Sequence, residues 1–335
     1  VDTYGPGACA STAASAAVPD EPPAATFDLF TVGEPLICLT AAGRLPAAPS
    51  LGKSIGGAEA NVAIGFARLG LRAGYGACVG DDPFGDEIVR TLRGEGVDVS
   101  RVRRSRRRAT GLMIKELRSP QDVRVHYYRN DSAATELDGA GVLPRARHVH
   151  ATGITLALGD GPAAAVHELL AHGRATGAGV SFDANIRCKL WPPQEAVAAI
   201  RAVLPYVDDL LLSEVEALAI SGAAQLDEAL RRLGETQIAR IVVRRGAHGA
   251  IGLAAGERCD VPAIAAGPVL DTVGAGDAFT AGYLFERLSG ASFEAAMTTG
   301  AWAAGHVVAH AGDYEGLPDR ADYDAWRSAA PVTDR

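Results

Sequence analysis

The residues with the greatest chemical potential stand together at 271–288, DTVGAGDAFTAGYLFERL. Gly274, Ala275 and Gly276 predict a tight turn that feeds directly into a helix from Asp277 onward. Small side chains let successive backbone N–H groups converge, and a helix N-terminus adds about half a positive charge. Such a turn is an anion hole suited to a phosphoryl group in transfer. Asp277 falls in the first helical turn, where its carboxylate can take a proton from a substrate hydroxyl. It can equally cap the helix and favour its dipole, and spacing alone leaves both roles open. Other clusters are Gly33-Glu34, Asp183-x-Asn185-x-Arg187, Ser213-x-x-Glu216 and Gly246-x-x-Gly249. Each alone reads as a cap or turn. All of them follow short apolar runs, so together they predict one shared cleft.

Those runs identify the positioning elements. FDLFTVGE, RHVHATG, GVSFDAN, DDLLLSE and ARIVVRRG are short and β-rich, and the later ones are separated by Ala/Leu-rich helical stretches at 161–173, 194–204 and 224–233. Strands alternating with helices predict an α/β fold, a doubly wound and mainly parallel sheet with helices on both faces. Ligands of such sheets bind beyond the carboxyl ends of the strands. Segments 36–55 and 109–130 differ: TGLMIKEL and DVRVHYYR read as strands joined at Ser119-Pro120, and predict a small β extension beside the main sheet.

Other glycine signals fail. LGKS at 51–54 imitates the end of a P-loop, but Ala47 occupies the position of its first glycine and prolines flank it. No GxGxxG follows the first strand, which disfavours a dinucleotide-binding dehydrogenase.

The 335 residues include 39 glycines, well above the usual share of about 7%. Lys and Arg number 32 against 40 Asp and Glu, and the net charge of −8 argues against a general nucleic-acid or anionic-membrane binder. Six arginines in RVRRSRRR, 101–108, read as solvated surface without aromatic interleaving. Five scattered cysteines form no CxxC pair, which favours a reducing, cytoplasmic setting. No apolar run is long enough to span a membrane. Residues 1–26, rich in Ala and Pro, are expected to be a disordered extension, with one domain over 27–320 and a tail at 321–335.

DTVGAGDAF resembles the C-terminal signature of the ribokinase-like (PfkB) carbohydrate kinases. GGAEANVAIGFARLG at 56–70 resembles their glycine-pair motif, and RRGAHGA at 244–250 their nucleotide loop. The resemblance runs in order from about Phe27 to Pro318. It implies a ribokinase-like fold with the extension as a lid, and transfer of the ATP γ-phosphoryl to a sugar hydroxyl. Asp277 would be the base and Gly274, Ala275 and Gly276 the anion hole. Mg²⁺ would come with the triphosphate, near Glu216 and reached through water. Ser213, standing where many members have Asn, would lie near the phosphates together with Gly246, Gly249, Ala275 and Gly276. Asp271 would neighbour a monovalent cation such as K⁺.

Gly56, Gly57 and Asn61 would approach the sugar. HYYRNDSAATELD at 126–138 and FDANIRCKLW at 182–191 resemble the 2-keto-3-deoxygluconate kinase branch. Tyr127, Arg129 and Arg187 would then bind the keto-acid end, since guanidinium forks pair with carboxylate oxygens. The competing reading makes Arg129 an exposed strand residue and Arg187 a structural ion-pair partner. Trp302 departs from the family by replacing an Asn beside the adenine, where its indole would stack on or displace the base. Alternatives to a sugar-acid kinase are a kinase of fructose, ribose, 5-dehydro-2-deoxygluconate or a nucleoside, and a non-catalytic sensor on the same fold. Such a lid often mediates dimerisation in the family, so a homodimer is a further expectation.

Overall fold

The computed structural model describes residues 26–119, 122–139 and 143–329. The expected disorder over 1–26, the turn at Ser119-Pro120 and the end of the 321–335 tail reach outside those residues. The chain begins with β1 (Phe27–Val32), β2 (Leu36–Ala42), β3 (Gly52–Gly56), α1 (Ala58–Arg68), β4 (Ala73–Gly80), α2 (Pro83–Gly94) and β5 (Asp98–Ser105). It continues through β6 (Leu112–Ser119), β7 (Asp122–Tyr128), β8 (Ala146–Thr152), α3 (Gly153–Leu156), α4 (Asp160–Thr176), β9 (Gly179–Asp183) and α5 (Pro193–Val203). Next come β10 (Asp209–Ser213), α6 (Glu214–Ser221), α7 (Leu226–Gly234), β11 (Arg240–Arg244), β12 (Ala250–Ala254) and β13 (Glu257–Val261). The chain closes with α8 (Ala275–Leu288), α9 (Phe293–Val308) and α10 (Arg320–Ala329).

The main sheet has nine strands in the order β13-β12-β11-β10-β9-β8-β1-β4-β5. From β11 to β5 all neighbours are parallel, while β12 and β13 return antiparallel at one edge. Parallel strands covered on both faces cannot alternate polar and apolar residues. Thus β4 is buried throughout, and LLL of β10 and IVV of β11 are buried as continuous runs. Helices α1, α2, α8 and α9 cover one face, α4 to α7 the other. The doubly wound reading is therefore borne out.

A second sheet, ordered β3-β2-β6-β7, is built from the segments read as a β extension. Its β2 and β6 run parallel, with β3 and β7 antiparallel outside them.

The segment expected as a tail corrects the sequence reading. From 320 to 329 it is α10, whose Tyr323 and Trp326 stand three residues apart on one face. Tyr323 meets the Phe285 ring edge-on at 5.0 Å, and Trp326 stacks on Trp302 at 4.8 Å. Burial of these rings holds the helix against α8 and α9; its polar sequence had concealed that stripe.

Candidate active site

The turn before α8 is as tight as its residues require. Gly274 is the N-cap with φ +81°, and a Cβ there would strike the carbonyl oxygen of Asp313. Only glycine combines that left-handed backbone with so close a neighbour. In the first turn of α8 the N–H groups of Gly276 and Asp277 have no preceding helical turn to bond to, and that of Ala275 makes a long 3.4 Å bond to the Thr272 carbonyl. Asp277 is half-buried at their side, and Asn61 of α1 donates from Nδ2 to its Oδ2 at 2.8 Å. Burial, reinforced by Asp183, pushes the Asp277 carboxyl up to about 7, against the opposing pull of Asn61, Arg187 and Arg244. A carboxyl poised near neutrality suits a general base.

Arg244, at the end of β11, was not singled out from the sequence. Its guanidinium grips Asp183 with two bonds of 2.7 Å, and Nη1 also donates to the Gly276 carbonyl at 3.0 Å. Bidentate geometry makes this a rigid tie between the end of β9 and the start of α8. The signal was the arginine pair opening RRGAHGA, and only tertiary pairing with Asp183 gives one of them a task.

Beyond β9 the chain turns through Asn185, whose φ of +36° is left-handed, a region Asn tolerates better than most residues. Glu216 pins that turn. Its Oε1 accepts from the Ile186 N–H at 2.6 Å, and its Oε2 accepts from the Ser213 N–H at 2.7 Å and the Ser213 hydroxyl at 2.8 Å. Ser213 and Glu216 thus form a capping box on α6. Both Glu216 carboxylate oxygens are thereby engaged within the protein. Arg187 emerges exposed from this loop, makes no ion pair among the described residues, and acts electrostatically on Asp277. Lys189 then reaches the Val125 carbonyl of β7 at 2.8 Å, tying the loop to the second sheet.

Arg129 is neither exposed nor isolated. It is 6% exposed, pairs with Glu34 and lies 5.5 Å over the Tyr127 ring, while its Nε has no hydrogen-bond partner. Glu34 also accepts from the Ser132 hydroxyl at 2.6 Å. Tyr127 is half-buried, with Lys189 5.9 Å from its ring on β7. Gly56 and Gly57 close β3 onto α1: a Cβ on the first would meet the Asp313 carboxylate, and on the second the Glu34 carbonyl. The site thus joins Gly56, Gly57, Asn61, Arg187 and Gly274 to Asp277, with Arg129 and Tyr127 at the second-sheet side.

Several expectations need correction. Trp302 is only 4% exposed and stacked under Trp326, so its indole belongs to the core. Gly246 is exposed, but Gly249 is buried, where a Cβ would strike the Val261 carbonyl; packing explains that glycine. Asp271, expected beside a monovalent cation, is fully buried and salt-bridged at 2.7 Å to the Lys115 ammonium. Lys115 escaped notice because a charged residue beside Glu116 in LMIKEL reads as a solvent-facing strand position. The arginine run needs no such correction and is solvated surface as read: Arg103, Arg104, Arg107 and Arg108 pair with Asp138, Asp86, Glu136 and Asp131, and Arg101 and Arg106 stand exposed. His148 and His150 are buried, and burial lowers them to about 4 and about 3, which leaves them neutral. No helix among the described residues is long and apolar enough to cross a membrane.

A model of the pfkB family carbohydrate kinases matches residues 27–320. The chain belongs to that family. The kinase is 35% identical over 317 residues to the 2-dehydro-3-deoxygluconokinase of Bacillus subtilis (strain 168), covering 90% of this chain and 96% of the relative. It is 36% identical over 308 residues to the enzyme of the same name from Thermoproteus tenax, covering 89% and 93%. Among solved structures, an Escherichia coli protein in complex with ATP and Mg²⁺ superposes with TM-score 0.83 at 26% identity, covering 90% of this chain and 99% of that one. A double mutant of the Vibrio cholerae O395 fructokinase, bound to fructose, ADP and potassium, gives 0.80 at 26% identity, covering 90% and 99%. The carbohydrate-kinase resemblance read from 56–70 and 271–288 is thereby borne out.

Proposed function

We propose that this kinase transfers the ATP γ-phosphoryl group to a hydroxyl of a sugar acid, 2-keto-3-deoxygluconate. The observation that carries the acidic substrate is Arg187, an exposed guanidinium with no ion pair among the described residues, held beside Asp277 by the Glu216-pinned loop. A neutral sugar would leave that charge unanswered, whereas a carboxylate matches its fork. Tyr127 and the unpartnered Nε of Arg129 add donors on the second-sheet side. Arg129 itself is charge-compensated by Glu34, so Arg187 is the principal cation for the substrate.

In the reaction, Asp277 takes the hydroxyl proton as the sugar oxygen bonds to the γ-phosphorus. The bond from that phosphorus to the ADP oxygen breaks, and ADP leaves with its electron pair. Gly274, Ala275 and Gly276 hold the equatorial phosphoryl oxygens through backbone N–H groups, where developing charge is best stabilised. Arg244, bonded to the Gly276 carbonyl, keeps that turn in register. Ser213 and exposed Gly246 lie at neighbouring strand ends and form the nucleotide side. Mg²⁺ would arrive with the nucleotide, and Glu216, pinned at the strand ends, would meet it through water. When bound, Mg²⁺ neutralises the phosphate charge. The second sheet, tied to the Arg187 loop by Lys189, excludes water from the transferring group.

The test is ADP release with 2-keto-3-deoxygluconate, 5-dehydro-2-deoxygluconate, fructose, ribose and a nucleoside. The expected outcome is the highest kcat/KM for 2-keto-3-deoxygluconate. Rapid turnover of a neutral sugar with that acid inert would overturn the reading, and binding without ADP release would favour a sensor.

A further inference from the structure

The resemblance to ribokinase-like enzymes implied a monovalent cation beside Asp271, and the residues present do not fit one. The Lys115 ammonium is fully buried, 2.7 Å from Oδ2 of Asp271 and 2.8 Å from Oδ1 of Asp313. We propose that Lys115 is this kinase's own cation beside the anion hole, taking the place a potassium ion would occupy, so that phosphoryl transfer requires no monovalent ion.

Connectivity supports this placement. The other oxygen of Asp271 accepts from the Val273 N–H at 3.0 Å, immediately before Gly274. On the opposite side, the Asp313 carbonyl packs so closely on Gly274 that no Cβ fits between them. The ammonium therefore joins the two segments that hold the anion-hole turn. A second cation at the same carboxylates would face a fixed like charge in a water-excluded space, where repulsion is strongest. Burial works against the ammonium, yet Asp313 and Asp271 hold it above its ordinary range, so it stays charged at any working pH.

The lysine is also built for this position. Met113 and Lys115 take alternate, inward positions on β6, with Lys115 in register between Thr40 of β2 and Val125 of β7. The cation thus comes from the second sheet and reaches the turn of the main domain. It carries the sheet's position to Gly274 through Asp271 and Asp313, which makes Lys115 a positioning residue.

The experiment uses the full chain at constant ionic strength, with tetramethylammonium chloride replaced stepwise by potassium, sodium or ammonium chloride. Initial rate and melting temperature are both read, with any accepted sugar, so the result does not depend on which sugar is the natural substrate. The wild-type enzyme is expected to show neither a saturable rate increase nor a saturable thermal shift. Lys115→Met is expected to lose about 100-fold in kcat, the scale of a misplaced reacting group, while sugar KM changes little. Potassium or ammonium should restore its rate and raise its melting temperature, both saturably, and Lys115→Arg should stay ion-independent. Saturable potassium activation of the wild type would overturn the proposal. So would a folded Lys115→Met enzyme that no cation rescues, because Lys115 would then be only a tether. If Lys115→Met fails to fold, the wild-type titration and Lys115→Arg decide the matter.

Discussion

Replacing Asp277 by Asn separates its chemical role from its structural cost. The side chain keeps its shape, and its amide oxygen can still accept from Asn61 Nδ2, so the fold should persist. Turnover should fall by about 10² to 10⁴, the usual contribution of a positioned base. Stability should move the other way. The carboxyl ionises at about 7 in the folded chain against its ordinary 3.8. Between those values the folded state binds more protons than the unfolded one, so stability declines as pH rises through the window and levels off above 7. The full difference corresponds to about 4 kcal/mol of destabilisation at pH 8, and to roughly 2 kcal/mol at pH 5. The variant should therefore exceed the wild type in melting temperature at pH 8 by several degrees, with the gap narrowing toward pH 5. Thermal denaturation across pH 5–8, paired with ADP release, reads both effects. Wild-type turnover would refute Asp277 as base. A variant no more stable than wild type at pH 8 would refute the burial argument for its raised pKa.

Arg187→Gln should lower kcat/KM for the sugar acid by about 10- to 100-fold, the value of a hydrogen bond to a charged group. Because Arg187 lowers the Asp277 pKa, its loss should also shift the acid limb of the pH–kcat/KM profile to higher pH, and an unshifted limb would count against their proximity. Trp302→Ala should cost about 3–5 kcal/mol by emptying the space beneath Trp326, yet leave KM for ATP unchanged. A raised KM with unchanged stability would return Trp302 to the nucleotide site.

The legible part of the molecule is the part whose physics is local. Alternating β-rich and helical runs dictate the doubly wound sheet, because parallel strands covered on both faces need continuous apolar residues. VGAGD predicts its own turn and helix start, since Gly274 must adopt a backbone that other residues avoid. The clusters at Asp183, Ser213 and Gly33 marked the carboxyl ends of strands, where an open α/β sheet must place its cleft. Helix α10 lay at the margin of legibility: its aromatic pair carries a helical period, hidden among charged residues.

What the sequence by itself determined was therefore the fold class, the anion-hole turn and the candidate base. Only the tertiary structure decided which charges are free and which are spent. Arg129 and Arg187 look alike in the chain, yet one is buried against Glu34 and the other stands open near Asp277. Arg244 acquires its partner 61 positions away, and Lys115 its partners 156 and 198 positions away. Ion pairing acts over a few ångströms of space and takes no account of separation along the chain, so no local pattern could announce those partners. Trp302 shows the same for burial. Its exposure depends on α10, the next helix, folding back over it, and that contact exists only in three dimensions.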